Sequence, residues 1–379
     1  MKIDVERLVL EFKNLLEIES PSKKEGKLAY YLASIFEALG YKCFFDKSAE
    51  TTGSEVGNLI VKIPGSIPAE PIFFCAHLDT VGPYKNPKII FENNVFRTDG
   101  RTILGADDKS GIAALVEVAK ILKETSPPHP PLEYIFTTCE EIGLLGAKCL
   151  DTELIDAREG FVLDSEDPEE VINAAPSSYQ FEIRILGKSA HAGIEPEKGI
   201  NAIKIASEII SGLPCGRIDE ETTFNIGTIR GGEYVNIVPD KCEVKGEMRS
   251  HNENKLQELK NLIEEKIESV IENHPKIENL PAAKVHFNKV FKAFFVPEDD
   301  PLCQLVKKAG ENLGMRLNFK RIEGGSDANV FNEKGLKCLV LGTGMRKVHT
   351  TEEYIHLKDL ILTTDLVLEI IKVKSEMAG

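Results

Sequence analysis

The chain predicts an α/β protein in which a mixed-sheet domain is interrupted by a smaller inserted α/β domain. Three observations carry that expectation. Short apolar, β-rich runs alternate with amphipathic helical segments through the first half. From about Ser177 the rhythm changes to strand, helix, strand, strand, helix, strand, and after Pro297 the mixed rhythm returns. At 379 residues the chain is also long for one core, since domains commonly run to about 150 residues.

The first helix lies in MKIDVERLVLEFKNLLEI, an amphipathic stretch with acids inside it, unlike a secretory leader. A second helix, KLAYYLASIFEALG, stops at Gly40. The strands GNLIVKI, PIFFCAH, LEYIFTT and FVLD follow, separated by the helix GIAALVEVAKILKE and the proline-rich loop SPPHPP. The insert reads YQFEIRILG, INAIKIASEIISGL, TTFNIGTIRGG, VPDKCEVKGEMRS, NENKLQELKNLIEEKIESVIENH and AKVHFNKVF, the β-α-β-β-α-β order of a ferredoxin-like unit. Its second helix puts Leu256, Leu259, Leu262, Ile263, Ile267 and Val270 at helical spacing, which predicts one buried face. Helix DPLCQLVKKAGENLG, strand LKCLVLG and a closing helix from about residue 356 to 374 complete the chain. The expected division is 1–176 with 291–379 for a discontinuous first domain, and 177–290 for the insert.

Lys and Arg total 46 against 61 for Asp and Glu, a formal charge of -15, which opposes binding to nucleic acid and to anionic membrane. No apolar run approaches the roughly 18 residues of a membrane span. Cysteines at positions 43, 75, 139, 149, 215, 242, 303 and 338 form no CxxC pair, so reduced thiols and a cytoplasmic location are expected.

The chemistry gathers where strands give out into loops. CAHLDT carries His77 and Asp79, GADDKSG carries Asp107 and Asp108, CEEIG carries Glu140 and Glu141, VLDSE carries Asp164, and KVHTTEE carries His349. Acids brought into one cleft repel and stay protonated unless divalent cations neutralise them, so the set reads as a two-metal hydrolytic site. Strand alternation puts His77 and Asp79 on one face, where the aspartate can orient the imidazole. Acids ahead of a helix also serve as caps, but a pair of metals about 3.5–4 Å apart needs a bridging carboxylate, and Asp107 is the candidate. Glu141 is expected to bind metal while Glu140 takes a proton from water. Imidazole with carboxylate suits zinc, cobalt or manganese better than magnesium or calcium.

HLDT, GADDKSGIA, CEEIGLLGA, GKSAHAG, GGEYVNIVPD and GGSDAN, in this order and across essentially the whole chain, resemble the co-catalytic dinuclear zinc metallopeptidase family that includes peptidase T, carboxypeptidase G, aminoacylase and succinyl-diaminopimelate desuccinylase. GADDKSGIA, EGGSDANVF and an aspartate at position 164 make the peptidase T (tripeptidase) branch the nearest, while TGMRKVHTTEE departs from its usual glycine-rich approach to the last histidine. The resemblance implies a mixed-sheet zinc-peptidase catalytic domain with a ferredoxin-like lid and dimerisation domain. It implies one metal on His77, Asp107 and Asp164, and another on Asp107, Glu141 and His349. Glu140 would be the general base, Asp79 would orient His77, and the Asp107-Asp108 peptide would be cis. His191, read without the resemblance as a turn residue, would reach the partner subunit's site in a homodimer to steady the oxyanion. Asn236 and Arg249 would hold a substrate carboxylate or carbonyl, and Gly324, Gly325 and Ser326 would shape the substrate end of the cleft.

The expected activity is metal-dependent hydrolysis of short peptides, with release of the N-terminal residue from tripeptides. Two divalent ions are implied, zinc first, with cobalt or manganese as alternatives. An N-acyl-amino-acid amidohydrolase, a carboxypeptidase-type activity and a non-catalytic peptide binder are the rival readings. Metal storage fits less well, because only two histidines and no clustered thiols converge.

Overall fold

The computed structural model describes residues 2–378 and divides into two compact units. The first comprises the chain up to Ala174, Phe295–Arg321 and the stretch from Ser326 on; the second comprises Ala175–Phe294 and Ile322–Gly325.

In the first unit, strands pair in the order Lys42–Phe45, Leu59–Ile63, Leu132–Thr137, Ile72–His77, Glu159–Ser165 and Lys337–Gly342. The first two junctions are antiparallel and the next three parallel. Every residue of Ile72–His77 and Leu132–Thr137 is buried, as expected of central strands covered on both faces. The helices Val5–Glu17 and Leu357–Ala378 both pack on the helix Ala106–Thr125, which in turn covers Ile72–His77. His77 pairs with Thr137, and Cys75 with Val162, so two residues further on His77 and Asp164 end neighbouring strands. Parallel register thus delivers His77, Asp164 and the loop after Thr137 to one edge, where open α/β sheets place their ligand sites.

Of two local features, the first meets the expected cis peptide and the second was not foreseen. Within Ala106–Thr125, Asp107 and Asp108 have non-helical backbone angles, Gly105 enters in the left-handed region at φ 76°, and the Asp107-Asp108 peptide is cis. A small antiparallel sheet joins Met345–Arg346, Tyr354–His356, Val95–Arg97 and Ile90–Glu92; strands of two or three residues carry no readable periodicity. Its hairpin register, Arg346 opposite Tyr354, leaves residues 347–353 as the connection that carries His349.

The second unit is an antiparallel sheet in the order Gly216–Asp219, Thr222–Gly231, Lys241–Ser250, Ser177–Leu186, Ala282–Phe291, with helices Ala202–Ser211 and Glu253–Glu272 contributing to its core. The expected β-α-β-β-α-β unit is present, with Gly216–Asp219 as an added edge strand. Leu256, Leu259, Ile263, Ile267 and Val270 are buried, but Leu262 is exposed: at ~100° per residue it lies about a quarter-turn off their stripe. Ile322–Gly325 groups with this unit because Arg249 Nη1 donates to the Glu323 carbonyl at 3.1 Å and the His251 ring meets the Ile322 carbonyl at 3.1 Å.

All eight cysteines are free. Among the described residues no helix is long and apolar enough to cross a membrane.

Candidate metal centre

Asp107 stands at the middle of the site. Its Oδ1 lies 2.9 Å from His77 Nε2, and its Oδ2 lies 3.1 Å from His349 Nε2. Each side has a further carboxylate: Asp164 Oδ1 is 3.9 Å from His77 Nε2, and Glu141 Oε1 is 3.0 Å from His349 Nε2. His77, Asp107 and Glu141 each offer a ligand atom within 4.8 Å of the others. His77 and Asp107 are buried, whereas the His349 side chain is half exposed, so the centre opens on the His349 side.

The charges explain what this set lacks on its own. Burial, with Asp107 as the nearest like charge, pushes the Asp164 carboxyl well up. Burial does the same to Glu140, reinforced by Asp164, Asp327 and Glu141 and opposed by His77. Burial also works against Asp107, yet hydrogen bonds from His349 and His77 hold it well below the ordinary carboxylate range. The bonds to Asp107 and Glu141 lift the His349 imidazole to about 10. Protons thus occupy positions where a mixed imidazole and carboxylate donor set takes divalent cations, and cation uptake would displace them. The residues present fit such ions.

The loop bearing Glu140 and Glu141 is fixed through its backbone. After Thr137 the strand ends, and four successive N–H groups are captured by side chains rather than by a neighbouring strand. Thr138 N–H donates to Asn58 Oδ1 at 3.0 Å, and Cys139 N–H to Glu25 Oε1 at 3.0 Å. Glu140 N–H donates to Asp79 Oδ1 at 2.8 Å, and Glu141 N–H to Asp79 Oδ2 at 3.2 Å. Asp79 also accepts from Ser22 Oγ at 2.6 Å. Its contact with the His77 ring is made chiefly through its own carbonyl, 2.9 Å from Nδ1, with the carboxylate 3.6 Å away. Asp79 therefore contacts the imidazole through its carbonyl while its carboxylate holds the glutamate loop.

Other residues emerge only in three dimensions. Asp108 turns to the backbone, accepting from His77 N–H at 3.1 Å and Gly111 N–H at 3.2 Å. Glu353 is buried and accepts from the N–H groups of Leu104, Gly105 and Asp107 at 2.8, 2.7 and 3.1 Å; burial pushes its carboxyl up to about 7 against those bonds. Asp327, also buried, accepts from Thr137 Oγ1 at 2.5 Å, and burial pushes it up to about 6. Both acids stand inside strings singled out from the sequence, TTEE and GGSDAN, but residue type alone does not separate buried Glu353 from exposed Glu352.

The remaining expected site residues divide between the units. His191, Asn236, Arg249 and Gly325 lie in the second. His191 is exposed and its Nδ1 accepts from Gly193 N–H at 3.1 Å. Exposed Asn236 accepts from Ala192 N–H through its carbonyl. Arg249 Nη2 reaches Glu247 at 3.1 Å while its Nε is buried without a partner. Gly325 lies against the Phe291 ring, where a Cβ would come within 2.3 Å. Ser326, in the first unit, spends its hydroxyl on capping the helix Asp327–Glu333.

Known proteins resemble this chain along most of its length. A family model described as a peptidase dimerisation domain matches residues 173–275, and one for peptidase family M28 matches residues 58–162. Peptidase T of Fusobacterium nucleatum is 30% identical over 78% of this chain and 71% of its own length. The crystal structure of the aminopeptidase PepT of Bacillus cereus superposes with a TM-score of 0.90 at 38% identity, covering 98% of this chain and 99% of that one. A tripeptidase structure from Staphylococcus aureus gives 0.93 at 34% identity, covering 99% of each chain. Likeness of this extent, in sequence and in backbone, means that the chain belongs to the peptidase T family of metallopeptidases.

Proposed function

We propose that the protein is a dinuclear aminopeptidase that releases the N-terminal residue from tripeptides, with Glu140 as its general base. Peptide hydrolysis and metal dependence come with the family; the number of ions, the base and the substrate are the reading put forward. The observation that carries it is Asp107, whose two oxygens face two different imidazoles, His77 and His349. A carboxylate so placed would serve two cation positions, one held also by Asp164 and the other by Glu141. Bound zinc, or cobalt or manganese in its place, would polarise the scissile carbonyl and acidify water.

The chain's own groups do the rest. Glu140 takes a proton from the attacking water and passes it to the leaving amine as the C–N bond breaks, a shuttle suited to a buried carboxylate. Asp79 keeps the His77 ring and the Glu140 backbone in register. Because His191 Nδ1 accepts a hydrogen bond, its neutral ring carries the proton on Nε2, ready to donate to a tetrahedral oxyanion. Arg249 and Asn236 are assigned to a substrate carboxylate or carbonyl, which a guanidinium fork meets bidentately. The dimerisation-domain match supports a homodimer through the second unit, and the free thiols support a cytoplasmic setting.

Hydrolysis assays test the reading on metal-loaded protein with free-amine tripeptides, N-blocked tripeptides, dipeptides and N-acyl amino acids. Cleavage confined to free-amine tripeptides is expected. Turnover of N-acyl amino acids in their stead would make the protein an amidohydrolase.

A further inference from the structure

We infer that Glu353 is a positioning residue that couples the His349 loop to Asp107 and thereby sets the strength of one cation position, the one formed by His349, Glu141 and Asp107. The inference rests on the dinuclear reading above. His349 sits on the connection of a two-residue-strand hairpin, half exposed, with left-handed backbone at Lys347 and His349 (φ 54° and 63°). Such a loop holds a ligand in place only if something anchors it. Glu353, four residues on, is 1% exposed and supplies the anchor: its two oxygens accept from Leu104, Gly105 and Asp107 N–H. Those donors lie just before and at the start of the segment Ala106–Thr125, up to its non-helical step at Asp107 and Asp108, where backbone N–H groups have no helical partner and need an acceptor. One side chain therefore fixes the backbone of the shared ligand to the loop of the exposed one.

The consequence is asymmetric. His77 and Asp164 are carried by adjacent sheet strands and need no help from Glu353. His349 has no strand beneath it, and its 3.1 Å approach to Asp107 passes through this carboxylate. Loss of Glu353 should leave the His77 position intact and loosen the other by roughly 10- to 100-fold, the usual effect of removing an outer partner of a ligand.

Zinc titration by calorimetry, with bound metal counted by native mass spectrometry, tests this on the full-length protein and on Glu353→Gln and Glu353→Ala. Glutamine keeps the volume if alanine fails to fold, and Glu352→Gln, at the exposed neighbour, serves as control. The expected result is two ions in wild type, one ion of unchanged affinity and one weakened ion in the Glu353 variants, and kcat regained at high zinc with little change in KM. Two wild-type affinities in Glu353→Gln, or equal weakening of both ions, overturns the inference alone. Fewer than two ions in wild type overturns the dinuclear reading and the inference with it.

Discussion

Glu140 is held by its backbone and tuned by its neighbours, and the two can be tested apart. Glu140→Gln keeps the N–H that Asp79 accepts and removes only the basic oxygen. We expect metal content to match wild type while kcat falls by at least about 100-fold, within the range attributed to a general base; activity near wild type would reassign the base. The imidazoles give a pH test. His349 is raised from 6.5 to about 10 by Asp107 and Glu141, so without metal the stabilisation from its charged ring is complete below pH 6.5 and lost as pH climbs through about 10. Raised carboxyls at Asp327, about 6, and Glu353, about 7, act in the same direction at lower pH. Chelated protein should therefore show a falling Tm from pH 6.5 to 10, and zinc should flatten the curve because neutral imidazole is what it binds. Zinc uptake at pH 7 should release protons, seen as a buffer-dependent calorimetric enthalpy.

At the scale of the element, legibility follows locality. Fully apolar runs such as IFFCAH announce central strands, and ligands at their ends follow from that placement. The capture of four successive N–H groups at residues 138–141 is invisible in the string, because the acceptors Asn58, Glu25 and Asp79 stand 80, 114 and 61 residues away. In sequence Asn58 is a polar residue before a strand and Glu25 an acid before a helix. In the fold Asn58 is fully buried, and it also donates to Asp46 Oδ2 at 2.8 Å and to the Gly146 carbonyl at 2.9 Å, bracing both ends of the glutamate loop. Asn58→Ala strands a buried N–H and two acceptors, so a loss of about 1–3 kcal/mol in urea unfolding is expected. A fall in kcat with unchanged KM at saturating metal should accompany it; unaltered kcat would mean that the loop keeps its shape without this brace.

On the scale of the whole molecule, the insertion is readable as a change of rhythm at Ser177, but the return of Ile322–Gly325 to the second unit is not, since tertiary contacts hold it there, among them the bonds from Arg249 and His251. The same limit applies to His191, whose proposed role depends on a second copy of the chain. Its surroundings favour one: Ile194, Tyr234, Val235 and Ile237 are large apolar side chains left exposed on two loops joined by the His191–Ile237 bridge, and exposed apolar patches mark association sites. If His191 serves the partner's centre, His191→Ala and Asp107→Asn are each inactive as homodimers, yet complement each other. In the mixed dimer the His191→Ala subunit keeps an intact metal centre and receives the histidine of the Asp107→Asn subunit, so one site of two works. Random co-assembly of two equally expressed variants makes half the dimers mixed, and about a quarter of wild-type activity should return. Purification through two different affinity tags isolates that species directly, where half the wild-type activity per dimer is expected. No recovery in the isolated mixed dimer would mean that each subunit completes its own site.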